Sequence, residues 1–573
     1  MTTAIAEPAA DIAAGRRARQ RLAPEVWIPL VLIAGALGYP AFLLVTSAFN
    51  VGDPQALPAR EYGFGNFVEL LNHLDWLRNT LVIATGGTLL GITIGVGLAW
   101  TIHRTTVPGR KWFELLVAIP YPLGPLVGAL AWSQLGAPRD GLINRAFMWL
   151  TGANFPLIDI YTPLGIIFVE AIFEAPVAVL IIGAAMQRMD PALEESSSIF
   201  GGGKWRTALK ITLPLMLPAI LSAALFMFTS IIGSFAIPTI LGTSARFYVA
   251  TNAIYVLMQG YPPNYPLAAA LGLVLIVITG VAVWLVQRVL RGRSFVVVSG
   301  RNYRPRQVDI RGWTWLLFTL ASFYILISLV LPLGALFLAS VQTSSDLDFN
   351  PAQWTLANYK YVVIDFPTTR QAIVNSLILG VGTGTIGVAC ATLIAIAVHR
   401  SQSRGRKLLE QVTMLPQAFP RLIFAFGFLW MVLTLPIPLY GTLFAVLLAY
   451  IVVFLPLAYR GMSGVVVQID GALEEAARVG GASWGRVLRT VTVPLLRSGI
   501  LATWALLFMV SVREISASLF LSDAHTPVLG PAIFSFWDSG GLPRVSALAI
   551  VQALIILVAL YAVRRWAGRE VKV

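Results

Sequence analysis

The chain has 573 residues, 57 % of them hydrophobic and only 12 % charged, with a mean hydropathy of +0.77. Soluble chains carry about 25 % charged residues, and half that share cannot clothe a water-facing surface of this size. A soluble multidomain enzyme, a disordered chain and a fibrous repeat are therefore excluded, and an integral membrane protein remains; the net charge of +14 reads as a topology signal, and the single cysteine, Cys390, builds neither a disulfide framework nor a Cys-based metal site.

Residues 1–25 form a basic tail with Arg16, Arg17, Arg19 and Arg21. The apolar run 26–49 is too long for a signal-peptide core and no small-residue cleavage site follows it, so it reads as a first transmembrane helix that stays in place. About 20 apolar residues cross a hydrocarbon core ~30 Å thick. On that ruler spans fall at 26–49, 80–102, 112–134, 162–187, 215–241 and 264–287, then at 313–341, 373–398, 409–434, 440–459, 498–521 and 544–563. The runs are continuous and lack period-two alternation, which favours helices over a barrel. The expected fold is an all-α polytopic membrane protein of about 12 transmembrane helices. It divides into two six-helix bundles, 26–287 and 313–563, joined by a basic linker at 288–312 and ending in a tail at 564–573.

Alternating the spans from a cytoplasmic start places 31 of the 41 Lys and Arg on one side. That bias predicts cytoplasmic termini at both ends. The segment 288–311 carries 7 of them and reads as a linker bound to anionic lipid head groups. No nucleic-acid-binding fold or aromatic interleaving accompanies the charge, so nucleic acid is not an expected partner.

The chain repeats itself. Asn79, His103, Arg104, Gly109, Arg110, Lys111, Glu114 and Pro120 recur 296 residues later as Asn375, His399, Arg400, Gly405, Arg406, Lys407, Glu410 and Pro416. Asp190, Glu194, Glu195, Gly201, Arg206 and Pro214 recur 280 residues later as Asp470, Glu474, Glu475, Gly481, Arg486 and Pro494. The change of offset fits a longer outer loop around 133–160 in the first copy. Parallel repeats of this kind are a recognised transporter plan.

The loops after the fourth span of each half, 189–214 and 469–494, carry the most specific signal. One reads Asp190-Pro-Ala-Leu-Glu-Glu195-Ser-Ser-Ser-Ile-Phe-Gly201 and ends in Ile211-Thr-Leu-Pro214. The other reads Asp470-Gly-Ala-Leu-Glu-Glu475-Ala-Ala477-Arg-Val-Gly-Gly481 and ends in Val491-Thr-Val-Pro494. Asp190 and Asp470 are expected helix N-caps, Pro191 suits a first turn, and the glycine breaks the helix before a second short one. An ordinary amphipathic connector would not show the same Glu-to-Gly-to-Pro spacing twice in matching positions.

These loops resemble the EAA loop of the membrane subunits of binding-protein-dependent ABC importers. Glu475, Ala476, Ala477, Gly481 and Pro494 match the family pattern; the first copy keeps Glu195, Gly201 and Pro214 but has Ser196-Ser197 in place of the alanines. The resemblance spans the whole chain and implies the type I importer permease fold, embedded in a bacterial inner membrane. It implies that Glu194, Glu195, Gly201, Pro214, Glu474, Glu475, Ala476, Ala477, Gly481 and Pro494 couple to two copies of a cytoplasmic ATPase. An extracytoplasmic solute-binding protein would deliver the cargo. The chain itself is not expected to be an enzyme or to bind a cofactor: Gly201-Gly-Gly-Lys204 is followed by Trp205 where a P-loop needs Ser or Thr, so ATP and Mg belong to the partner.

Five ionisable residues fall inside the expected spans: Glu170 and Glu174, one turn apart, then Arg421, and the adjacent Arg513 and Glu514. Such residues either line a translocation path or pair as buried structural ions. Two carboxylates on one helix face suit a hard cation without by themselves defining a metal site. His73, His103, His399 and His525 show no ligand spacing. The segments 235–242, 512–521 and 536–540 are similar to the ferric-iron branch of fused permeases, and related segments occur in thiamine, polyamine, sulfate and phosphonate branches. The reading is a permease for a small solute, ferric iron first. An ion-gradient-driven secondary transporter is the rival class, but it would have no use for paired docking loops.

Overall fold

The computed structural model describes residues 24–54, 60–189, 192–201, 203–290, 312–344 and 351–570. Among these the regular structure is helical, and two isolated bridges, Asn50 with Tyr62 and Gln342 with Trp354, are the only β pairing. Among the described residues ten helices are long and apolar enough to cross a membrane, and twelve if each of two bent pairs counts as one span. The basic tail before residue 24, most of the linker (291–311), and Asp190 with Pro191 lie outside the described residues.

In chain order, α1 is Pro24–Ala48, α2 Leu74–Arg104, α3 Arg110–Ala118, α4 Pro125–Gly136, α5 Pro163–Arg188, α6 Ala192–Ile199 and α7 Leu213–Ile232. Then come α8 Ala236–Gly242, α9 Tyr265–Leu290, α10 Thr314–Ser340 (with a π turn inside it), α11 Pro367–Arg400, α12 Arg406–Met414 and α13 Arg421–Thr434. The last are α14 Leu443–Val466, α15 Ala472–Val479, α16 Val493–Val512, α17 Ser518–Leu521 and α18 Leu542–Glu570.

Two expected spans are not straight. The run at 112–134 bends by 97° between residues 123 and 125, and the run at 409–434 bends by 106° between 418 and 421. Proline and glycine cause both. Gly124, at φ +93°, sits between Pro122 and Pro125, and Pro420 follows an extended Phe419 in the second copy. Hydropathy is blind to such bends because neither residue interrupts an apolar run.

The spans expected at 215–241 and 498–521 also break. Helix α7 ends at Ile232 and resumes as α8, and α16 ends at Val512 and resumes as α17. Backbone freed inside a membrane needs internal partners. The Thr251 hydroxyl donates to the Ser234 carbonyl at 2.6 Å, and the Ser518 hydroxyl donates to the Glu514 carbonyl at 3.1 Å.

The chain forms two compact units, and they do not follow the halves of the sequence. One contains the described residues up to Leu44, Gln371–Val528 and the chain from Leu557. In it α1 belongs with helices of the second half: the Tyr39 and Thr434 hydroxyls meet at 3.1 Å. Val26, Leu30, Ile33, Leu37 and Leu44 form the buried stripe of α1, at helical spacing. Its other face exposes Ile28, Val31, Leu32 and Phe42, as a lipid-facing helix must.

The other unit contains Val45–Arg370 and Leu529–Ile556. Here α10, the first helix of the second half, packs on the first half. The Tyr324 hydroxyl donates to the Ile172 carbonyl at 2.7 Å, and the rings of Phe318 and Phe113 meet edge to face at 5.4 Å. Each half of the duplication thus lends its first helix to the other's unit.

Candidate functional site

The two repeated loops fold alike. Gly201, φ +75°, stands two residues past the end of α6, and Gly481, φ +83°, two residues past the end of α15. In the second copy the Ala482 N–H donates to the Ala477 carbonyl and the Gly481 N–H to the Arg478 carbonyl, which closes the helix in a left-handed cap. A side chain at either glycine would meet nothing within 4 Å, so the backbone angle, not crowding, selects glycine. Asp470 sits one residue earlier than expected. Gly471 is the N-cap, and the Asp470 carboxylate accepts from the Ala472 N–H at 3.0 Å.

A short helix follows in each copy, then a π turn, Ala208–Thr212 and Leu488–Thr492, that leads into α7 and α16. Pro214 and Pro494 stand in the first turn of those helices. Proline has no N–H to give and its ring crowds the carbonyl four residues back. The wider π turn absorbs that clash.

The paired glutamates have different environments. Glu474 is buried, and its carboxylate bridges two groups: Arg400 Nε at 3.5 Å and the Thr492 hydroxyl at 3.2 Å. Glu194 repeats this with Arg104 Nη1 at 3.4 Å and the Thr212 hydroxyl at 2.8 Å. Arg400 also donates to the Ile469 carbonyl at 2.6 Å. Glu475 and Ala476, by contrast, are exposed. One residue along a helix turns the side chain by about 100°, so adjacent glutamates cannot share a face. The side chain of Glu195 lies outside the described set.

The outward side of each loop carries exposed apolar side chains, beside the Glu475 carboxylate in the second copy. Val479 is 90 % exposed, beside exposed Leu473 and Trp484, and the first copy presents Ile199 and Phe200, the latter 90 % exposed. One of the two serines that replace the alanines has a structural use. The Ser197 hydroxyl bonds the Thr207 hydroxyl at 2.8 Å, tying α6 to the short helix after the glycine. The arginines and threonines of the ties were visible only as repeated letters, Arg104 with Arg400 and the Thr before each Leu-Pro or Val-Pro.

The intramembrane charges fall into two groups. In one unit Glu170 and Glu174 are buried on α5, Glu170 at 1 % exposure, and Glu174 accepts from the Ser230 hydroxyl at 2.8 Å. In the other, Arg421 Nη1 lies 3.2 Å from Glu514 Oε2 and over the Phe454 ring at 5.7 Å. The three second-half residues lie at interruptions of the helices inside the expected spans. Arg421 heads α13 just past the bend, Arg513 caps α16, and Glu514 lies in the break before α17. Among the described residues, no three His, Cys, Asp or Glu side chains gather to hold a metal ion. His103 and His399 bond Gln187 and Ser463 at 3.0 and 2.6 Å.

The family described as binding-protein-dependent transport system inner membrane component matches residues 87–293 and 384–570. The chain belongs to that family. It is an ABC importer permease and a multi-pass inner-membrane protein with the permease domain present twice. It is 25 % identical to the ferric transport system permease protein FbpB of Actinobacillus pleuropneumoniae, over 92 % of this chain and 76 % of that one. It is 23 % identical to the Fe(3+)-transport system permease protein FbpB 2 of Haemophilus influenzae, over 92 % and 99 %. Over 44 % of its length it is 27 % identical to the 2-aminoethylphosphonate permease PhnV of Salmonella choleraesuis, covering 94 % of that chain.

Proposed function

We propose that this permease passes ferric iron from an extracytoplasmic solute-binding protein to the cytoplasm, with ATP and Mg consumed by two copies of a partner ATPase. Family membership supports the importer class and removes the reason for a gradient-driven reading. The duplication of the loop supports two ATPases: each copy offers an outward face with exposed apolar side chains, Phe200 in one and Val479 in the other, on a short helix held from behind. In this reading Glu195, Glu475, Ala476, Gly201 and Gly481 form the docking elements. Both termini lie on the ATPase side, as the bias of Lys and Arg requires.

The observation that supports the cargo is that two ferric permeases align over nine-tenths of this chain, both fused halves included, while the phosphonate relative is a shorter chain that aligns over 94 % of itself and leaves that branch as the alternative. Glu170 and Glu174 supply oxygen ligands of the kind a hard cation takes. Arg421, Arg513 and Glu514 act in this reading as the structural counterpart in the other unit. Proteoliposomes holding the permease, its ATPase and its binding protein decide the matter. ATP-dependent uptake of ferric iron is expected; uptake of thiamine, a polyamine, sulfate or a phosphonate with none of iron overturns the assignment.

A further inference from the structure

Each loop carries two adjacent glutamates, and in the second copy, where both are described, one is buried and the other exposed. In both copies the first glutamate turns away from the outward face and bridges two elements. One carboxylate oxygen meets an arginine at the end of a long span, Arg104 on α2 or Arg400 on α11. The other accepts from a threonine in the π turn at the head of the next span, Thr212 before α7 or Thr492 before α16. All three residues repeat in register in the two halves, each set inside its own compact unit.

We propose that Glu194 and Glu474 are positioning residues that fasten the loops to the spans, and that they do not touch the ATPase. A carboxylate with its two oxygens committed to two different elements cannot move without drawing on both. A push on the outward face of α6 or α15 is therefore delivered to the end of one span and the start of another. Threonine and arginine are suited to this. The hydroxyl fixes one oxygen by a directed bond, and the guanidinium places an opposite charge beside the other. Arg104 has no solvent exposure, and its Nε and Nη2 have no hydrogen-bond acceptor, so Glu194 is the group that compensates its charge.

The proposal rests on the docking reading, and the test separates the two. The permease is purified with its ATP-binding subunit and reconstituted. Two quantities are then read: the ATP-binding subunit retained per permease, and the stimulation of ATP hydrolysis by the solute-binding protein. The Glu194→Gln, Glu474→Gln double variant is expected to retain the subunit and its basal hydrolysis. Its stimulation is expected to fall about tenfold, within the usual range of coupling free energies. Glu475→Lys, on the outward face, is expected to lose the subunit itself. Thr212→Val with Thr492→Val removes the other leg of each tie at nearly constant shape and is expected to lower stimulation with retention intact.

Loss of the subunit in the double glutamine variant, as in Glu475→Lys, overturns the proposal alone. So does unchanged stimulation in both the glutamine and the valine variants. A wild-type permease that retains no ATP-binding subunit overturns the docking reading and the proposal with it.

Discussion

Arg421 and Glu514 meet at 3.2 Å between two interruptions of the helical scaffold, one at the bend before α13 and the other at the break after α16. The second oxygen of Glu514 accepts from the Ala517 N–H at 3.1 Å, at the start of α17. The pair closes backbone that the membrane interior would otherwise leave exposed. Glu514→Ala removes one partner of Arg421 and that cap together, and is expected to cost about 3 kcal/mol, the low end for a buried pair because a third of Arg421 remains exposed. Thermal unfolding in detergent measures it. Arg421→Met combined with Glu514→Gln is expected to recover part of the loss, since an uncompensated charge costs more than a missing pair.

The spans were legible because a run of about 20 apolar residues has few other uses. The duplication was legible from letters alone. The bends at Gly124 and Pro420 were hidden, since neither residue lowers hydropathy. The exchange of α1 and α10 between units was hidden for a different reason: an apolar stripe such as Val26, Leu30 and Ile33 says that a helix packs, but not on which bundle. Glu474 and Glu475 are the same letter, and only the phase of α15 tells the inward one from the outward one. The resemblance to a known loop identified the pair but assigned both glutamates to the ATPase.

A second duplication emerged only in three dimensions. The Asn66 amide donates to the Ala48 and Asn50 carbonyls at 3.1 and 2.7 Å. Asn358 donates to the Ser340 and Gln342 carbonyls at 3.0 and 2.7 Å. Each asparagine holds the end of its half's first helix, where a bridge has opened the chain. Asn66→Ala and Asn358→Ala are each expected to cost about 1–2 kcal/mol, the range of two net hydrogen bonds. Asp at either position keeps the shape but cannot donate, and is expected to be as harmful. Unfolding midpoints of the four variants test this.

Asp523 lies outside the spans and sets a pH-dependent turn. Burial pushes its carboxyl up, but the Thr526 hydroxyl and the N–H groups of His525 and Thr526 outweigh burial and hold it below the usual range. A carboxyl lowered by folding stabilises the fold above its unfolded value of about 3.9 and ceases to do so as pH falls through the folded value. The turn is therefore expected to hold at neutral pH and to loosen only in acid below about pH 4. Hydrogen exchange at the Thr526 amide reads it, and Asp523→Ala is expected to raise that exchange at neutral pH.

Glu475 faces outward with Ala476 and Val479. Glu475→Lys reverses a charge on the proposed docking face without touching the buried tie. Membrane insertion and thermal stability are expected to match the wild type, because exposed substitutions shift stability by about 0.5 kcal/mol or less. ATP-dependent uptake in proteoliposomes is expected to vanish. Normal uptake would remove Glu475 from the coupling surface.

Gly481 adopts a left-handed backbone with open space around it, so substitutions there separate conformation from bulk. Asparagine visits this region more readily than other residues with a side chain, whereas a β-branched residue resists it. Gly481→Asn is expected to retain most uptake. Gly481→Val is expected to strain the cap by about 1–2 kcal/mol and to turn α15 away from the short helix that follows. The same order is expected at Gly201, whose angle differs by only a few degrees. If valine and asparagine behaved alike at both positions, the left-handed cap would not be what orients the outward faces, and the repeated glycine would need another explanation.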